Sequence, residues 1–271
     1  MANKEKTPMQ LIDGHFRYGT TDHERFLREG YRVFDRFLSP EGLRHCREQV
    51  ERMLAELQPG RRPEEIFSSH QQEPWLFELA SQPELLDMVE RQAGPNIVLW
   101  SSHLLCKPPR TGQEVPWHQD APYWNVTGNH AGAIWIPLDD ISAENGGMSV
   151  LPGWHTKGAL RIRKRMGAFS DEIDPSALPP DLDAIKFQYE FPAGGLATHH
   201  TMLPHNSIPN KSDRWRRVVA LRYIAADATF GGKQYEDYRT GSKFPRRFFL
   251  MRGNDVLGRG LERSPFNGAA K

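Results

Sequence analysis

The sequence predicts a mainly β protein with flanking α-helices, in which a helical N-terminal layer supports a C-terminal β-sandwich within one domain, residues 1–271. Two patterns carry this reading. Up to about residue 95, apolar residues recur at helical spacing between cap and stop signals. From Ile97 onward the chain breaks into short β-prone runs punctuated by glycine and proline, as in a sandwich or barrel and unlike βαβ units. The length is sufficient: 271 residues with 38% hydrophobic and 25% charged content can bury a full core.

Residues 1–20 are polar and aperiodic and are expected to form a loosely held arm. Thr21-Asp22 offers an N-cap for a short helix over 24–29, stopped by Gly30. Tyr31, Val33 and Phe34 predict a brief strand. Ser39-Pro40-Glu41 is a helix start, with a capping serine, proline at the first helical position and an acid in the first turn. Leu43, Cys46, Val50, Met53, Leu54 and Leu57 then share one face as far as Pro59-Gly60. Residues 60–73 read as loop, and 74–80 and 83–92 as two helices broken at Gln82-Pro83, which makes 21–95 mainly helical support. The β-prone runs are 97–105, 133–138, 148–151, 186–191, 195–202 and 217–224, within a β core over 96–226. Residues 156–182 form a long connection of the kind that serves as a lid or binding loop, with Lys157, Arg161, Arg163, Lys164 and Arg165. The extension 227–271 is also loop-like and carries Lys243, Arg246, Arg247 and Arg252. Each basic cluster is either a solvated face or a surface that meets an anionic substrate.

Bulk charge excludes some partners. With 35 basic against 34 acidic residues there is no concentrated excess for nucleic acid. Lys4 and Lys6 are not followed by the apolar stretch of a signal peptide, and no apolar run reaches membrane-spanning length. Cys46 and Cys106 lie far apart in apolar settings, which predicts buried, reduced thiols and a cytoplasmic location.

The chemistry centres on Trp117-His118-Gln119-Asp120. A histidine and a carboxylate one residue apart can turn to a single point and hold a divalent metal if a third ligand arrives. Alone, the motif is common by chance. His15, His23, His45 and His70 lie in the helical front, where surface or core roles fit best. His103, His130, His155, His199, His200 and His205 remain as candidates. Two histidines and one carboxylate on one face leave the opposite face open, which suits non-haem Fe(II) acting with dioxygen. Arg216, entering an apolar strand, needs a carboxylate partner: one of the chain's own acids or a 2-oxo acid cosubstrate.

The ordered set His118-x-Asp120, His205 and Arg216 resembles the phytanoyl-CoA dioxygenase family of Fe(II)/2-oxoglutarate oxygenases. Lys107-Pro108-Pro109, Trp135, Glu144-Asn145-Gly146, Leu151-Pro152-Gly153-Trp154-His155 and the segment from His205-Asn206-Ser207 to Asn210 and Arg214 extend the likeness over residues 31–224. The resemblance implies a double-stranded β-helix (jelly-roll, cupin-like) core and a C-terminal extension near the site. It implies His118, Asp120 and His205 as iron ligands, with Arg216 and Ser207 holding the distal carboxylate of 2-oxoglutarate and Trp135 lining the cosubstrate pocket. His103 departs from an often apolar family position and either reaches the cosubstrate or makes a structural hydrogen bond. Relatives that halogenate lack the carboxylate, so Asp120 favours hydroxylation or a related oxidation.

The expected activity is therefore 2-oxoglutarate-dependent hydroxylation of an unactivated C–H bond in a small organic metabolite, with succinate and carbon dioxide as co-products. Gln119, Tyr123, Trp124 and His200 are the substrate-wall candidates, although His200 has the wrong parity relative to His205 on a regular strand. Desaturation, epoxidation or cyclisation on the same site is an alternative. So are a zinc hydrolase, which has no use for Arg216, and a non-catalytic binding module.

Overall fold

The computed structural model describes residues 9–266 except 125, 129, 130, 167 and 168, so the candidate His130 lies outside the described residues. Four helices precede the sandwich: α1 (Thr20–Glu29), α2 (Pro40–Ala55), α3 (Pro74–Ala80) and α4 (Pro83–Ala93). The capping signals operate locally. Ser39 Oγ accepts from Gly42 N at 2.9 Å, and Gly30 ends α1 in the left-handed region at φ 82°. The N-cap of α1 is Gly19, two residues before Thr21; Asp22 instead reaches back from inside the helix to Gly19 N at 3.0 Å.

From Leu11 the arm is packed, not loose. Leu11, Ile12, Phe16 and Tyr18 are buried, and Phe16 meets Phe34 and Phe37 edge-on at 5.3 and 4.9 Å. A Cβ at Gly42 would lie 2.1 Å from Leu11 O, so only glycine admits the arm against α2. Aperiodic apolar residues of this kind find their partners only once the helix and sheet are assembled.

The strands in chain order are β1 (Tyr31–Phe34), β2 (Ile66–Phe67), β3 (Ile97–Leu104), β4 (Val115–His118), β5 (Val126–Thr127), β6 (Ala133–Pro137), β7 (Met148–Val150), β8 (Ile162–Lys164) and β9 (Asp171–Ile173). They continue with β10 (Phe187–Gln188), β11 (Leu196–His199), β12 (His205–Ser207), β13 (Val218–Ala225), β14 (Thr229–Phe230), β15 (Gln234–Glu236), β16 (Lys243–Pro245) and β17 (Phe249–Arg252). One sheet runs β1-β11-β6-β13-β3-β17, with β2 also on β3; the smaller runs β10-β7-β12-β4. The named strands pair antiparallel. This is the expected jelly roll.

Period-two alternation assigns the two faces of the large sheet. Leu196, Ile134, Ile136, Val219 and Leu221 join one core with Cys46, Val50 and Met53 of α2, Leu76 and Leu79 of α3, and Leu85, Met88 and Val89 of α4. Trp135, Ala197, Val218 and Ala220 point the other way and pack with Met148 and Val150 of the small sheet. Cys46 and Cys106 are buried and unpaired. No helix among the described residues is long and apolar enough to cross a membrane.

The segments read as loops contain more structure than expected. Strands β8 and β9 pair antiparallel, and the cations on and beside them meet acids across the pair: Arg161 with Asp174 at 3.2 Å, Arg163 with Glu172 and Lys164 with Asp171, both at 2.6 Å. These pairs lie on the exposed face of the segment. Downstream, β17 adds a strand to β3, and Arg252 pairs with Asp87 and Glu90 at 2.7 Å. Arg246 is buried over the Trp100 ring at 4.7 Å.

Leu221 is fully buried on the helix-facing side of β13. Leu221→Ala is expected to cost about 2–5 kcal/mol, because the surrounding helices and sheet cannot collapse fully into the space left. Urea denaturation measures it; a loss below about 1 kcal/mol is incompatible with that packing.

Candidate metal centre

Strand pairing builds the site. In the β4–β12 register His118 stands directly opposite His205, with ring centroids 4.0 Å apart. Asp120 follows the end of β4, where the backbone N–H groups of Asp120 and Ala121 donate to Thr201 O at 2.9 and 3.0 Å and turn the carboxylate back. One donor atom from each of His118, Asp120 and His205 lies within 4.8 Å of the others. His118 Nδ1 lies 2.8 Å from Pro116 O, and His205 Nδ1 2.9 Å from Leu203 O. A carbonyl only accepts, so each Nδ1 carries the proton and each Nε2 keeps its lone pair for a metal.

The electrostatics support a neutral His205 beside an ionised acid. Burial, then the neighbouring His118, holds His205 well below the usual histidine range. Burial opposes ionisation of Asp120, but the neighbouring His118, 3.7 Å away, and Arg222 outweigh it and hold the carboxyl well below its ordinary value.

The triad opens into a cavity of about 380 Å³, also lined by His103, Lys107, Tyr123, Trp124, Trp135 and Arg216 among others. Arg216 is 2% exposed. Its hydrogen bond is Nη1 to Leu105 O at 3.0 Å, and Nε has no partner among the described residues. It forms no ion pair with a described acid, and it lies 5.7 Å from the Trp135 ring centroid. Burial pushes its pKa down to about 10, which leaves it charged at neutral pH. A buried cation without an anion is costly, and a carboxylate is its natural complement. Ser207 Oγ accepts from Lys107 Nζ at 2.7 Å on the same wall.

His103 both lines the cavity and donates structurally: Nε2 lies 2.7 Å from Glu64 O, a carbonyl, so Nε2 carries the proton. Tyr123 and Trp124 also line the cavity. Two expectations are corrected. Gln119 is 2% exposed and is not on the cavity wall; Nε2 donates to Gly158 O and Met202 O at 2.8 Å, and Oε1 accepts from Leu160 N at 2.8 Å. Its amide is consumed in fastening chain segments. His200 follows the end of β11 outside the cavity, where Nδ1 accepts from Met202 N at 3.0 Å.

Two further residues stand on the wall: His199, named above only as a ligand candidate, and Arg222, which was missed. His199 is buried, with neither ring nitrogen hydrogen-bonded among the described residues, and Nε2 lies 3.9 Å from Asp120 Oδ2. Arg222 Nε lies 4.0 Å from the same oxygen. Parity would have found both: His199 shares a face with Ala197, and Arg222 with Arg216, Val218 and Ala220.

Two imidazoles and a carboxylate with an open side suit Fe(II), and an unpaired buried guanidinium suits a dicarboxylate. On a jelly roll this donor set defines the Fe(II)/2-oxoglutarate oxygenases as a class. Residues 26–218 match the phytanoyl-CoA dioxygenase (PhyH) family, and the chain belongs to it; the cofactors are Fe(II) and 2-oxoglutarate. A probable alpha-ketoglutarate-dependent hypophosphite dioxygenase from Stutzerimonas stutzeri is 34% identical over 167 residues, 60% of this chain and 58% of that protein. Human peroxisomal phytanoyl-CoA dioxygenase is 26% identical over 223 residues, 77% of this chain and 63% of that one. The chain thus spans about three fifths of the length of these curated relatives. Among solved structures, the non-heme monooxygenase ThoJ in its apo form superposes with TM-score 0.68 at 28% identity, covering 86% of this chain and 84% of that one.

Burial depresses His103 to about 3 and His199 to about 4. Unfolded histidines titrate near 6.5, so in the window between these values the unfolded chain binds more protons than the folded one. Stability is therefore complete above about pH 6.5 and falls on acidification, by up to about 1.4 kcal/mol per pH unit per histidine. Urea midpoints of the metal-free protein at pH 7 and pH 5 check the sign; equal midpoints contradict it.

Proposed function

We propose that this protein is a non-haem Fe(II)- and 2-oxoglutarate-dependent dioxygenase that hydroxylates an unactivated C–H bond of a small organic metabolite. The observation that carries the reading is one cavity holding both the His118–Asp120–His205 donors and the unpaired, buried Arg216. His118, Asp120 and His205 hold the iron. Arg216 and Ser207 receive the distal carboxylate of 2-oxoglutarate, with Trp135 beside the guanidinium and His103 on the same wall. When bound, iron and 2-oxoglutarate supply an oxidation driven by dioxygen that leaves succinate and carbon dioxide.

The chain contributes positioning. The carbonyls of Pro116 and Leu203 lock both imidazoles as Nε2 donors. The flanking strands fix Arg216 before cosubstrate arrives, so little order is lost on binding. Trp124 and Tyr123 form the wall that screens the reacting C–H from water. The reading treats the described chain as a single oxygenase domain, and its two unpaired cysteines support a reducing, cytoplasmic setting.

A second outcome on the same site, cyclisation, desaturation or epoxidation, is favoured by likeness to a solved non-heme alpha ketoglutarate dependent carbocyclase, SnoK from nogalamycin biosynthesis, at 25% identity and TM-score 0.64 over 79% of this chain and 86% of that one. A substrate panel read by mass distinguishes hydroxylation or epoxidation, each a gain of one oxygen, from cyclisation or desaturation, each a loss of two hydrogens.

His118→Ala and Asp120→Ala are expected to abolish succinate formation from 2-oxoglutarate under Fe(II) and oxygen. Arg216→Ala is expected to raise KM for 2-oxoglutarate by about tenfold or more, as for loss of a charge-assisted hydrogen bond. Full turnover by the His118 variant refutes the assignment.

A further inference from the structure

We propose that Arg222 is the anchor for an anionic group on the substrate, so that the substrate is a small organic anion bearing a carboxylate or an oxyanion such as a phosphonate. This rests on the oxygenase reading above and adds the substrate class to it.

Arg216, Val218, Ala220 and Arg222 project from one face of β13, which sets two arginines six residues apart along the cavity, roughly 20 Å for an extended strand. The Arg222 end is the metal end, since its Nε lies 4.0 Å from Asp120 Oδ2. The Arg216 end takes the far carboxylate of the cosubstrate, so a second guanidinium beside the metal is available to another ligand.

Arg222 is held ready for one. Its guanidinium lies 5.2 Å from the Trp124 ring centroid, and Arg246 Nη1 donates to Trp124 O at 3.3 Å, fixing that segment from behind. The Arg222 side chain is 14% exposed, with Nε buried and without a hydrogen-bond partner among the described residues. The guanidinium therefore lines the cavity with Asp120 Oδ2, 4.0 Å from Nε, as its nearest anion.

Charge makes the metal end selective. The other acids on the wall have partners: Glu64 pairs with Arg62 at 2.8 Å, and Asp171 with Lys164 at 2.6 Å. With iron and 2-oxoglutarate in place, the dication and the dianion balance, and the single charge of Asp120, 4.0 Å from Arg222, offsets only one of the two arginines. The site keeps a positive excess with Arg222 at its metal end, which favours an incoming anion over a neutral molecule. The cavity of about 380 Å³ must also hold the cosubstrate, so the anion is small.

The test is calorimetric. The protein loaded with Fe(II) and 2-oxoglutarate, without oxygen, is titrated with acetate, methylphosphonate and glycerol. At least one anion is expected to bind and glycerol is not; the preferred anion tells carboxylate from oxyanion. Arg222→Gln should weaken that binding by about tenfold or more, and Arg222→Lys by less, while 2-oxoglutarate affinity stays within about twofold. Three results overturn the assignment: neither anion binds the wild-type protein, R222Q binds the anion as wild type does, or R222Q loses iron or 2-oxoglutarate affinity in step with the anion. Failure of the wild-type protein to take up 2-oxoglutarate with Fe(II) overturns instead the activity on which the assignment rests.

Discussion

The structure depends on the antiparallel pairing of β4 with β12. That register is what brings His118 across from His205, and a slip by one residue would turn one imidazole to the opposite face. Neither strand is long, four residues and three. Their alignment is secured from outside the pair: β7 pairs with β12 on its other side, matching His205 with Val150, and Thr201 captures the backbone just beyond His118. The metal site is thus a property of the small sheet as a whole. The large sheet supplies the charged opposite wall.

That division of labour explains the electrostatic layout. The small sheet brings imidazoles, whereas β13 brings a guanidinium group, and the carboxylate of Asp120 lies between them. Burial alone would neutralise such an acid. The surrounding charges keep it ionised, and its two oxygens face different neighbours: Oδ1 is 3.7 Å from His118, and Oδ2 is nearest His199 and Arg222. One oxygen is therefore turned towards the metal ligands while the other is framed by the opposite sheet.

Features encoded over a few residues were legible in the sequence. The Ser39-Pro40 start of α2, the Gly30 stop of α1 and the break between α3 and α4 depend on local backbone chemistry, and they stand where expected. His118-x-Asp120 was visible for the same reason. His205 and Arg216 became legible through the ordered motif set, since nothing local separates His205 from its neighbouring histidines. What was misread involved pairing between distant segments. Gln119 adjoins the ligands in sequence, but its amide reaches backbone groups at Gly158, Leu160 and Met202. The cations on and beside β8 looked free because Asp171, Glu172 and Asp174 meet them only when β8 pairs with β9. Arg222 was overlooked although its parity with Arg216 is readable along the strand, and which face of that strand meets the cavity is decided between the two sheets.

The C-terminal extension completes the large sheet. By pairing with β3, β17 supplies hydrogen-bond partners to a strand that is buried along its whole length. Stripped of β17, β3 would present apolar side chains and unpaired backbone groups together, the combination that recruits a strand from another molecule. Residues 249–252 therefore act as a built-in edge guard, covering the apolar end of β3 and standing in its place as a short edge strand of four residues.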